Sequence, residues 1–339
     1  MGAVFAAFLI SNGLLMASRR RVRLVANWLA PLSAAILAMF GAETPAAAEG
    51  VALTFDDAPG LSLTEDLGYW RTTNRELIHR LRRAHVPATA FVIGDKLEGA
   101  DRPLRYQMVR DWMDAGFTLG NHTYSHGSLN KMPAAAYIAD VARNDGVLRP
   151  LMAERRQTPR WFRHPYLETG KTLQDKHAFE DWLAQHGYRV APVTMENSDW
   201  MFALPYDEAV LRHDDPEARR IRQSYLDYTE KMVAWYRRAA FELLGRRPAF
   251  VFLLHDTRLN ADSLPVLLQI LQRNGLTVVS LEAAMSDPAY RINDDYADPE
   301  GDEWLSRWSA VLHKELPWDD FAEPPADIAA ADARLDKDP

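Results

Sequence analysis

The sequence of 339 residues contains no cysteine. It can therefore form no disulfide, no thiolate zinc site, no cysteine nucleophile and no lipoprotein anchor. Positive charge is also scarce, because 39 lysines and arginines face 47 aspartates and glutamates and leave a net charge of -8. With that balance and no concentrated basic face, a nucleic-acid partner is not expected. No glycine-rich phosphate loop follows a predicted strand, so nucleotide binding is not predicted either.

What the chain does contain is enough apolar residues for a sizeable core. Hydrophobic residues make up 47% of the sequence and aromatic residues 10%. At this length the chain could hold one large α/β barrel or two ordinary domains. We find no internal repeats.

The N-terminal segment, residues 1–48, follows the order of a secretory signal. Basic residues 19–23 precede an apolar stretch at 24–40, and a run of small residues ends at Ala48. We expect cleavage after Ala48 and export to the periplasm or the medium, with no stable membrane association afterwards. The alternative is an uncleaved N-terminal membrane anchor. The true start could be Met16, because an extra apolar stretch precedes the arginines.

From residue 51 onward, short β-rich runs alternate with longer helical stretches. This alternation predicts a mainly parallel sheet. Three glycines, Gly116, Gly187 and Gly275, stand where a helix commonly ends, just before the next strand. Polar residues at several strand ends favour a closed or nearly closed barrel over an open doubly wound sheet. The predicted strands are 51–55, 88–93, 117–121, 160–163, 188–194, 249–255 and 276–281, and the predicted helices lie near 71–85, 103–115, 133–153, 172–186, 216–244 and 263–274.

Two segments depart from this alternation. Segment 196–247 is longer than an ordinary connection, and we interpret it as an elaborated loop plus one barrel helix. Its helical aromatic residues are expected mostly to pack in the core: Tyr225, Tyr228, Trp235 and Tyr236. The composition changes after residue 286, so we predict a catalytic domain at 49–286 and an acidic C-terminal extension at 287–339. That extension has one possible helix, at 304–312, and otherwise the composition of a flexible tail.

A metal site is indicated by His122 and His126, which lie four residues apart at the end of a predicted strand. A helical turn would place both imidazoles on one face, where they could bind one metal. Asp57 supplies a third ligand. One carboxylate and two imidazoles with open positions for water are typical of a catalytic metal site. Zn²⁺ is favoured, and Co²⁺, Ni²⁺ or Fe²⁺ also suit this donor set.

Acid–base residues are suggested by four other polar side chains. Adjacent carboxylates repel each other, and a cation bound by Asp57 would leave Asp56 beside the water as general base. The alternative is that Asp-Asp-Ala-Pro-Gly is only a polar turn. His255 ends an apolar run and suits a general acid, which Asp199 could hold in its charged form, while Arg163 could pair with Asp56. Each of these three could instead serve only in a salt bridge or satisfy a buried group.

Taken together, the motifs resemble those of the polysaccharide deacetylases, the carbohydrate esterases of family 4 with a NodB-like domain. The resemblance covers roughly residues 50–285, with all five motifs in the family's order: Thr54-Phe-Asp-Asp57, His122-Thr-Tyr-Ser-His126, Arg163-His-Pro-Tyr166, Asp199-Trp200 and Leu253-Leu-His255.

This resemblance implies an α/β fold, a distorted (β/α)7 TIM-like barrel, and a metal-dependent hydrolase that removes acetyl groups from N-acetylated or O-acetylated polysaccharides. It implies the following site: Asp57, His122 and His126 as metal ligands, Asp56 as base, His255 as acid, Arg163 orienting Asp56, Asp199 tuning His255, the backbone N–H of Tyr166 stabilising the oxyanion, and Trp200 and Leu253 lining the pocket for the acetyl methyl group. The expected partner is an acetylated polysaccharide or oligosaccharide.

The sequence departs from the family pattern at Ala58, where a glycine usually follows the aspartates, and has His164 at a variable position of the third motif. Two other functions are compatible with the same fold. One is hydrolysis of another non-peptide C–N bond, and the other is a non-catalytic glycan-binding module. The presence of both Asp56 and His255 argues against the binding module.

Overall fold

A parallel sheet of seven strands lies at the centre of the computed structural model, which describes residues 49–336. The neighbouring strands follow the order β5-β4-β3-β2-β1-β6, and β7 pairs with β1. Every predicted strand is present. The strands are β1 (Glu49–Ala58), β2 (Ala88–Val92), β3 (Thr118–Asn121), β4 (Trp161–Phe162), β5 (Arg189–Val190), β6 (Phe250–His255) and β7 (Leu276–Val279).

Strand β1 organises the sheet because it has three partners. Its first residues, from Glu49 to Ala52, pair with β7, and its later residues, from Leu53 to Ala58, pair with β2. Its other edge pairs with β6 from Val51 to Asp56. The strand is buried from residue 51 onward, as expected for an apolar strand covered on both faces.

The sheet curls until its two ends meet. Beyond β5, Met195 forms an isolated parallel bridge with Phe252 of β6. Backbone hydrogen bonds from Thr194 N to Val251 O and from Leu253 N to Met195 O hold the two edges together. The predicted fold, a distorted (β/α)7 TIM-like barrel, is confirmed. In the part of the chain that the structure describes, the barrel is closed between β5 and β6 only by this short bridge.

Helices follow the strands as predicted. Gly116, Gly187 and Gly275 all have positive φ just after a helix end, so their predicted role is confirmed. The helices are α1 (Leu67–Arg83), α2 (Arg102–Asp114), α3 (Ala134–Ala153), α4 (Leu173–Gln185), α5 (Asp199–Leu211), α6 (Asp215–Leu244), α7 (Arg258–Arg273), α8 (Leu281–Ala284), α9 (Trp304–Leu312) and α10 (Ala326–Leu335).

The segment 196–247 contains two helices, so the expectation of a loop plus one helix is wrong. Helix α5 includes Pro205, which the sequence pattern disfavours inside a helix. Its burial against α6 and α7 compensates for that local preference. The four aromatic residues of α6 for which packing was predicted are at most 4% exposed, so that role is confirmed for them: Tyr225, Tyr228, Trp235 and Tyr236.

The C-terminal segment from residue 287 is folded against the barrel and carries two helices, α9 and α10. The expectation of a flexible tail is therefore wrong for its described residues. The acidic composition concealed a buried ion-pair cluster, in which fully buried Arg307 binds Asp294 and Asp298. Helix α10 packs on α5 through buried Ile328.

The predicted signal, residues 1–48, lies outside the described residues. Within the described residues, no helix is both long and apolar enough to cross a membrane.

Candidate active site

A β-bulge brings the two adjacent aspartates to one site. Phe55 of β1 pairs with Ala90, and Ala58 pairs with Val92, so Asp56 and Asp57 together oppose a single residue of β2. In a regular strand, successive side chains point to opposite faces, and a bulge breaks that alternation. Asp57 also has a φ of 69°, which is uncommon for a residue with a side chain. Both carboxylates consequently reach His122, at 3.8 and 3.5 Å from its Nε2 atom.

The two histidines lie on a loop after β3. The predicted helical turn is wrong, because Thr123 and His126 have positive φ and the segment is irregular. Hydrogen bonds replace the helical ones: Thr123 N donates to the side chain of Asn121, and Tyr124 N and Ser125 N donate to Asp140. The four-residue spacing still delivers both imidazoles to one place.

Three potential ligand atoms converge on a point between β1 and this loop. His122 Nε2 and His126 Nε2 lie 3.5 and 3.4 Å from Asp57 Oδ1. The ligand atoms of all three residues lie within 4.8 Å of one another. Asp57 Oδ1 is buried and has no hydrogen-bond partner. A buried carboxylate oxygen is costly to leave unpaired, so the donor set fits a divalent cation at this point.

The far side of each imidazole supports the same assignment. His122 Nδ1 lies 2.9 Å from the carbonyl oxygen of Arg163. An N–H donated to that carbonyl leaves Nε2 with a lone pair for a metal. His126 Nδ1 lies 3.0 Å from the hydroxyl of Tyr166. Ligand histidines in metalloproteins are typically oriented in this way.

Lys96 contributes to the site, although no motif or spacing in the sequence marks it. Its Nζ lies 3.5 Å from Asp57 Oδ2 and donates to the carbonyl of Gly60. Burial raises the pKa of Asp57, but Lys96 and the facing imidazoles of His126 and His122 hold it well below its usual range. Asp57 is therefore a carboxylate at neutral pH, as a metal ligand must be.

Arg163 holds Asp56 in a buried ion pair. Its Nη1 lies 3.1 Å from Asp56 Oδ2, and its other nitrogens donate to Ala191 O and Thr54 Oγ1. The Arg163 side chain is fully buried. This geometry agrees with the predicted orienting role, and Asp56 lies beside the three ligands without being needed among them.

We expect Arg163→Met to destabilise the fold by about 3–5 kcal/mol, because it leaves Asp56 buried without its partner. Urea unfolding measures the change. Arg155→Met, which removes an exposed ion pair with Asp114, is the control and should change stability little. Adding Asp56→Asn to Arg163→Met should restore part of the loss. A double variant as unstable as the sum of the two single variants would show that the ion pair is not the cause.

The candidate general acid His255 is held by Asp199. Asp199 Oδ1 lies 2.8 Å from His255 Nδ1, and Oδ2 accepts from the His255 backbone N–H at 2.7 Å. Asn260, a residue that sequence reasoning missed, donates to both Asp199 and the His255 carbonyl. The arrangement leaves the Nε2 side of the ring to face the cleft, as a proton donor to substrate requires.

The pKa of His255 sets an expected limit on activity. Burial lowers this pKa, but the Asp199 carboxylate and its hydrogen bond, with Asp57 and Asp56 nearby, raise it to about 9. A general acid works only while protonated, so kcat/KM should fall as pH rises through about 9.

In Asp199→Asn, loss of the charge should move that basic limb down by about 1–3 pH units. A pH–rate profile of kcat/KM measures the shift, with exposed Asp327→Asn as control. An unchanged basic limb in Asp199→Asn would show that His255 is not the group that titrates.

The site opens into a cleft of about 650 Å³. Tyr166, Trp200 and Leu253 all line it, so the structure brings every residue predicted for substrate binding to the same place. The Tyr166 ring lies against His126, with centroids 4.6 Å apart, and Trp200 is 38% exposed. The roles of the Tyr166 N–H and of the acetyl-methyl pocket stay predictions.

One wall of the cleft was not predicted. The C-terminal segment supplies Glu300, Asp302, Glu303, Asp332, Trp318 and Phe321 to the lining. Gly301 packs so closely that a Cβ there would lie 2.2 Å from the carbonyl oxygen of Tyr166. This segment is distant in sequence from all five motifs, and no strand-end pattern marks it.

Comparison with known families gives the site its context. Residues 44–191 match the family model for polysaccharide deacetylase. Over these residues, somewhat less than half of its length, the chain is similar to the polysaccharide deacetylase family. The matched residues include the aspartate pair, both histidines and Arg163. Asp199 and His255 lie beyond the match, so their place in the site rests on the geometry above.

Two curated relatives are deacetylases of acetylated glycans by name. The peptidoglycan-N-acetylglucosamine deacetylase of Bacillus cereus is 27% identical over 150 residues, covering 44% of this chain and 46% of that protein. The chitin deacetylase of Colletotrichum lindemuthianum is 25% identical over 150 residues, covering 44% of this chain and 52% of that protein. The chain thus spans about half the length of the curated relatives it matches.

Solved structures resemble this one at lower identity. The chitin deacetylase of Colletotrichum lindemuthianum has a TM-score of 0.49 and 21% identity, covering 71% of this chain and 89% of that chain. A family 4 carbohydrate esterase from Streptomyces lividans, in complex with acetate, has a TM-score of 0.47 and 22% identity, covering 70% of this chain and 97% of that chain.

Proposed function

We propose that this protein is a polysaccharide deacetylase, a metal-dependent hydrolase that removes acetyl groups from N-acetylated or O-acetylated polysaccharides. The observation that carries the proposal is the buried, unpartnered Asp57 Oδ1 with the Nε2 atoms of His122 and His126 at 3.5 and 3.4 Å. Such a donor set favours Zn²⁺, with Co²⁺, Ni²⁺ or Fe²⁺ as alternatives. The chemistry that a divalent ion supplies in this kind of site is Lewis-acid activation of water and of a carbonyl group.

The surrounding residues account for the proton transfers. Asp56 lies beside the ligands and accepts the proton of the attacking water, while Arg163 fixes its carboxylate in place. His255 carries its proton into the cleft and gives it to the departing amine or alcohol, and Asp199 keeps the ring oriented through Nδ1. Base and acid on separate strands, β1 and β6, fit a substrate bound between them.

The cleft itself supports a sugar substrate. It is long enough to reach from the aspartates to the C-terminal segment, and its lining combines aromatic and polar side chains. Trp200 and Trp318 are 38% and 49% exposed, which leaves ring faces for contact with sugar rings. We assign the acetyl-methyl contact to Trp200 and Leu253 and the oxyanion contact to the Tyr166 N–H.

We also propose that the protein is exported to the periplasm or secreted. The support is the order of basic, apolar and small residues in segment 1–48. Fractionation of cells that express the full chain tests this, with N-terminal sequencing of the exported form. Cleavage after Ala48 is the expected result, and a chain retained uncleaved in the membrane would favour an anchor.

The activity is tested by incubating residues 49–339 with chitin oligosaccharides, peptidoglycan fragments and O-acetylated xylan, and by measuring released acetate. Acetate should appear only after metal is added to chelator-treated protein. The amide- and ester-acetylated substrates together decide between N- and O-acetyl preference. No metal-dependent acetate from any of them would overturn the proposal, and hydrolysis of a non-glycan amide instead would favour the other C–N hydrolase function.

A further inference from the structure

The lining of the cleft is unusually acidic beyond the candidate catalytic residues. Lys131 is the only lysine or arginine among the lining residues that the structure describes. The carboxylates of the lining outside the aspartate pair are Glu168, Glu196, Glu300, Asp302, Glu303, Asp332 and Asp336.

The loop that carries Glu300, Asp302 and Glu303 is held in place by neighbouring buried residues. Buried Arg307 binds Asp294 and Asp298, and Asn130 donates to the Asp298 carbonyl. Asp298 in turn accepts from the backbone N–H groups that follow it in the loop before α9. The acidic wall is therefore part of the packed structure and keeps its carboxylates against the cleft.

Asp332 points to a missing partner. Its side chain is only 4% exposed, it lines the cleft, and its Oδ1 has no hydrogen-bond partner. Other acids of the lining have donors: Glu196 accepts hydrogen bonds from Ser198 N and Tyr236, and Glu303 caps α9 through the N–H groups of Leu305 and Ser306. Asp332 forms no ion pair with a lysine or arginine of the described chain, and a buried carboxylate oxygen without a donor is costly. Burial correspondingly raises the pKa of Glu303 to about 7 and that of Asp332 to about 6.

Aromatic residues lie among these acids. Trp318 and Phe321 come from the same C-terminal segment, and Tyr236 donates a hydrogen bond to Glu196. An aromatic face beside carboxylates can bind a sugar ring that carries a positive charge, since a ring face attracts a cation and a carboxylate accepts its hydrogen bonds.

We propose that this wall forms a subsite for a protonated amino sugar, so that the preferred substrate is a partly N-deacetylated glycan rather than a fully acetylated or anionic one. This inference rests on the proposed function. A free amine at neutral pH is an ammonium group with three donors, which matches several carboxylates and an aromatic face. A uronic acid or phosphate in the same position would meet like charge. The product of one deacetylation would itself carry the group that the subsite binds.

Direct binding tests the subsite without relying on turnover. A β-1,4-linked glucosamine tetramer has no acetyl group, and cellotetraose has the same linkage with hydroxyl groups in place of the amines. By calorimetry, the metal-loaded chain should bind the glucosamine tetramer about tenfold more tightly than cellotetraose. That preference should shrink when NaCl rises from about 0.05 M to about 0.5 M.

Variants show which residues cause the preference for the glucosamine tetramer. Asp332→Asn and Glu300→Gln should each weaken binding of the glucosamine tetramer by about threefold or more and leave cellotetraose binding unchanged. Glu323→Gln removes the same charge from an exposed residue outside the cleft lining and should have no effect. Glu300 is exposed, so its replacement tests the subsite even if Asp332→Asn fails to fold.

Equal affinity for the glucosamine tetramer and cellotetraose would overturn the inference. So would a loss of glucosamine-tetramer affinity in Glu323→Gln as large as that in Asp332→Asn or Glu300→Gln, because the preference would then come only from the net charge of the protein. A second experiment measures acetate release from two N-acetylglucosamine tetramers, one fully N-acetylated and one in which a single amine is free. A preference for the free amine that falls in Asp332→Asn supports the subsite. No acetate from either tetramer would count against the proposed function, while the binding result would still decide the subsite.

Discussion

Replacing Asp57 by Asn should remove metal binding and lower kcat/KM for acetate release by more than about 100-fold. Asp57 Oδ1 is the atom that both imidazole Nε2 atoms face, at 3.5 and 3.4 Å. An amide in that position has one weaker acceptor and no charge, so the site loses its only anionic ligand. Elemental analysis of the purified variant and acetate release with added Zn²⁺ measure the two effects.

Asp327→Asn is a suitable control for Asp57→Asn, since it neutralises an exposed carboxylate that pairs with Arg220 and does not line the cleft. It should retain metal and activity. If Asp57→Asn kept a full equivalent of metal and wild-type activity, the metal site would have to lie elsewhere.

Replacing Asp56 by Asn should leave metal content unchanged and lower kcat by about 10²–10⁴-fold, the range for loss of a positioned general base. Asp56 is placed by Arg163 at 3.1 Å and lies 3.8 Å from His122 Nε2, so it is close to the ligands but committed to the ion pair. The matched pair of variants thus separates the two aspartates: one should lose metal, and the other should lose proton transfer with metal still bound.

Stability must be measured beside that activity, because Asp56→Asn leaves the guanidinium of Arg163 buried without a counter-charge. The loss of activity in Asp56→Asn can be assigned to proton transfer if circular dichroism shows that the variant is folded at the assay temperature. A folded, metal-loaded Asp56→Asn with activity within about threefold of wild type would exclude Asp56 as the base.

The strand-end residues could be predicted because a short apolar run that ends in a polar residue is a local pattern. Asp57, His122, Arg163 and His255 each follow such a run, and parallel strands bring those ends to one edge of the barrel. Asp199 begins α5, after the segment that pairs with β6 at Met195, and meets His255 at the end of β6.

Other features depend on contacts that no local pattern shows. The helical turn predicted for the two histidines is instead a loop, stabilised by Asn121 and Asp140 from outside the motif. Lys96 lies in the connection that follows β2, and its side chain forms an ion pair with Asp57. A lysine in a connection is usually a surface residue, so its sequence position did not indicate this contact.

The C-terminal segment differs most from its predicted structure, and its composition explains why. Its aspartates and glutamates suggested a solvated tail, whereas Asp298 is fully buried against Arg307 and the next residues line the cleft. A folded acidic segment that contains a buried ion pair can have the same composition as a disordered acidic segment, so composition alone does not distinguish them. The helix predicted at 304–312 is confirmed as α9, but the sequence did not indicate that it packs against the barrel.

The most direct measurement is a titration of metal-free protein with Zn²⁺, in which acetate release from a chitin oligosaccharide is followed together with bound zinc. If Asp57, His122 and His126 hold a single catalytic ion, activity should be absent at the start, rise in proportion to bound zinc and level off at one ion per chain. Acetate release at the full rate from metal-free protein, or no acetate release at one bound ion per chain, would contradict the account.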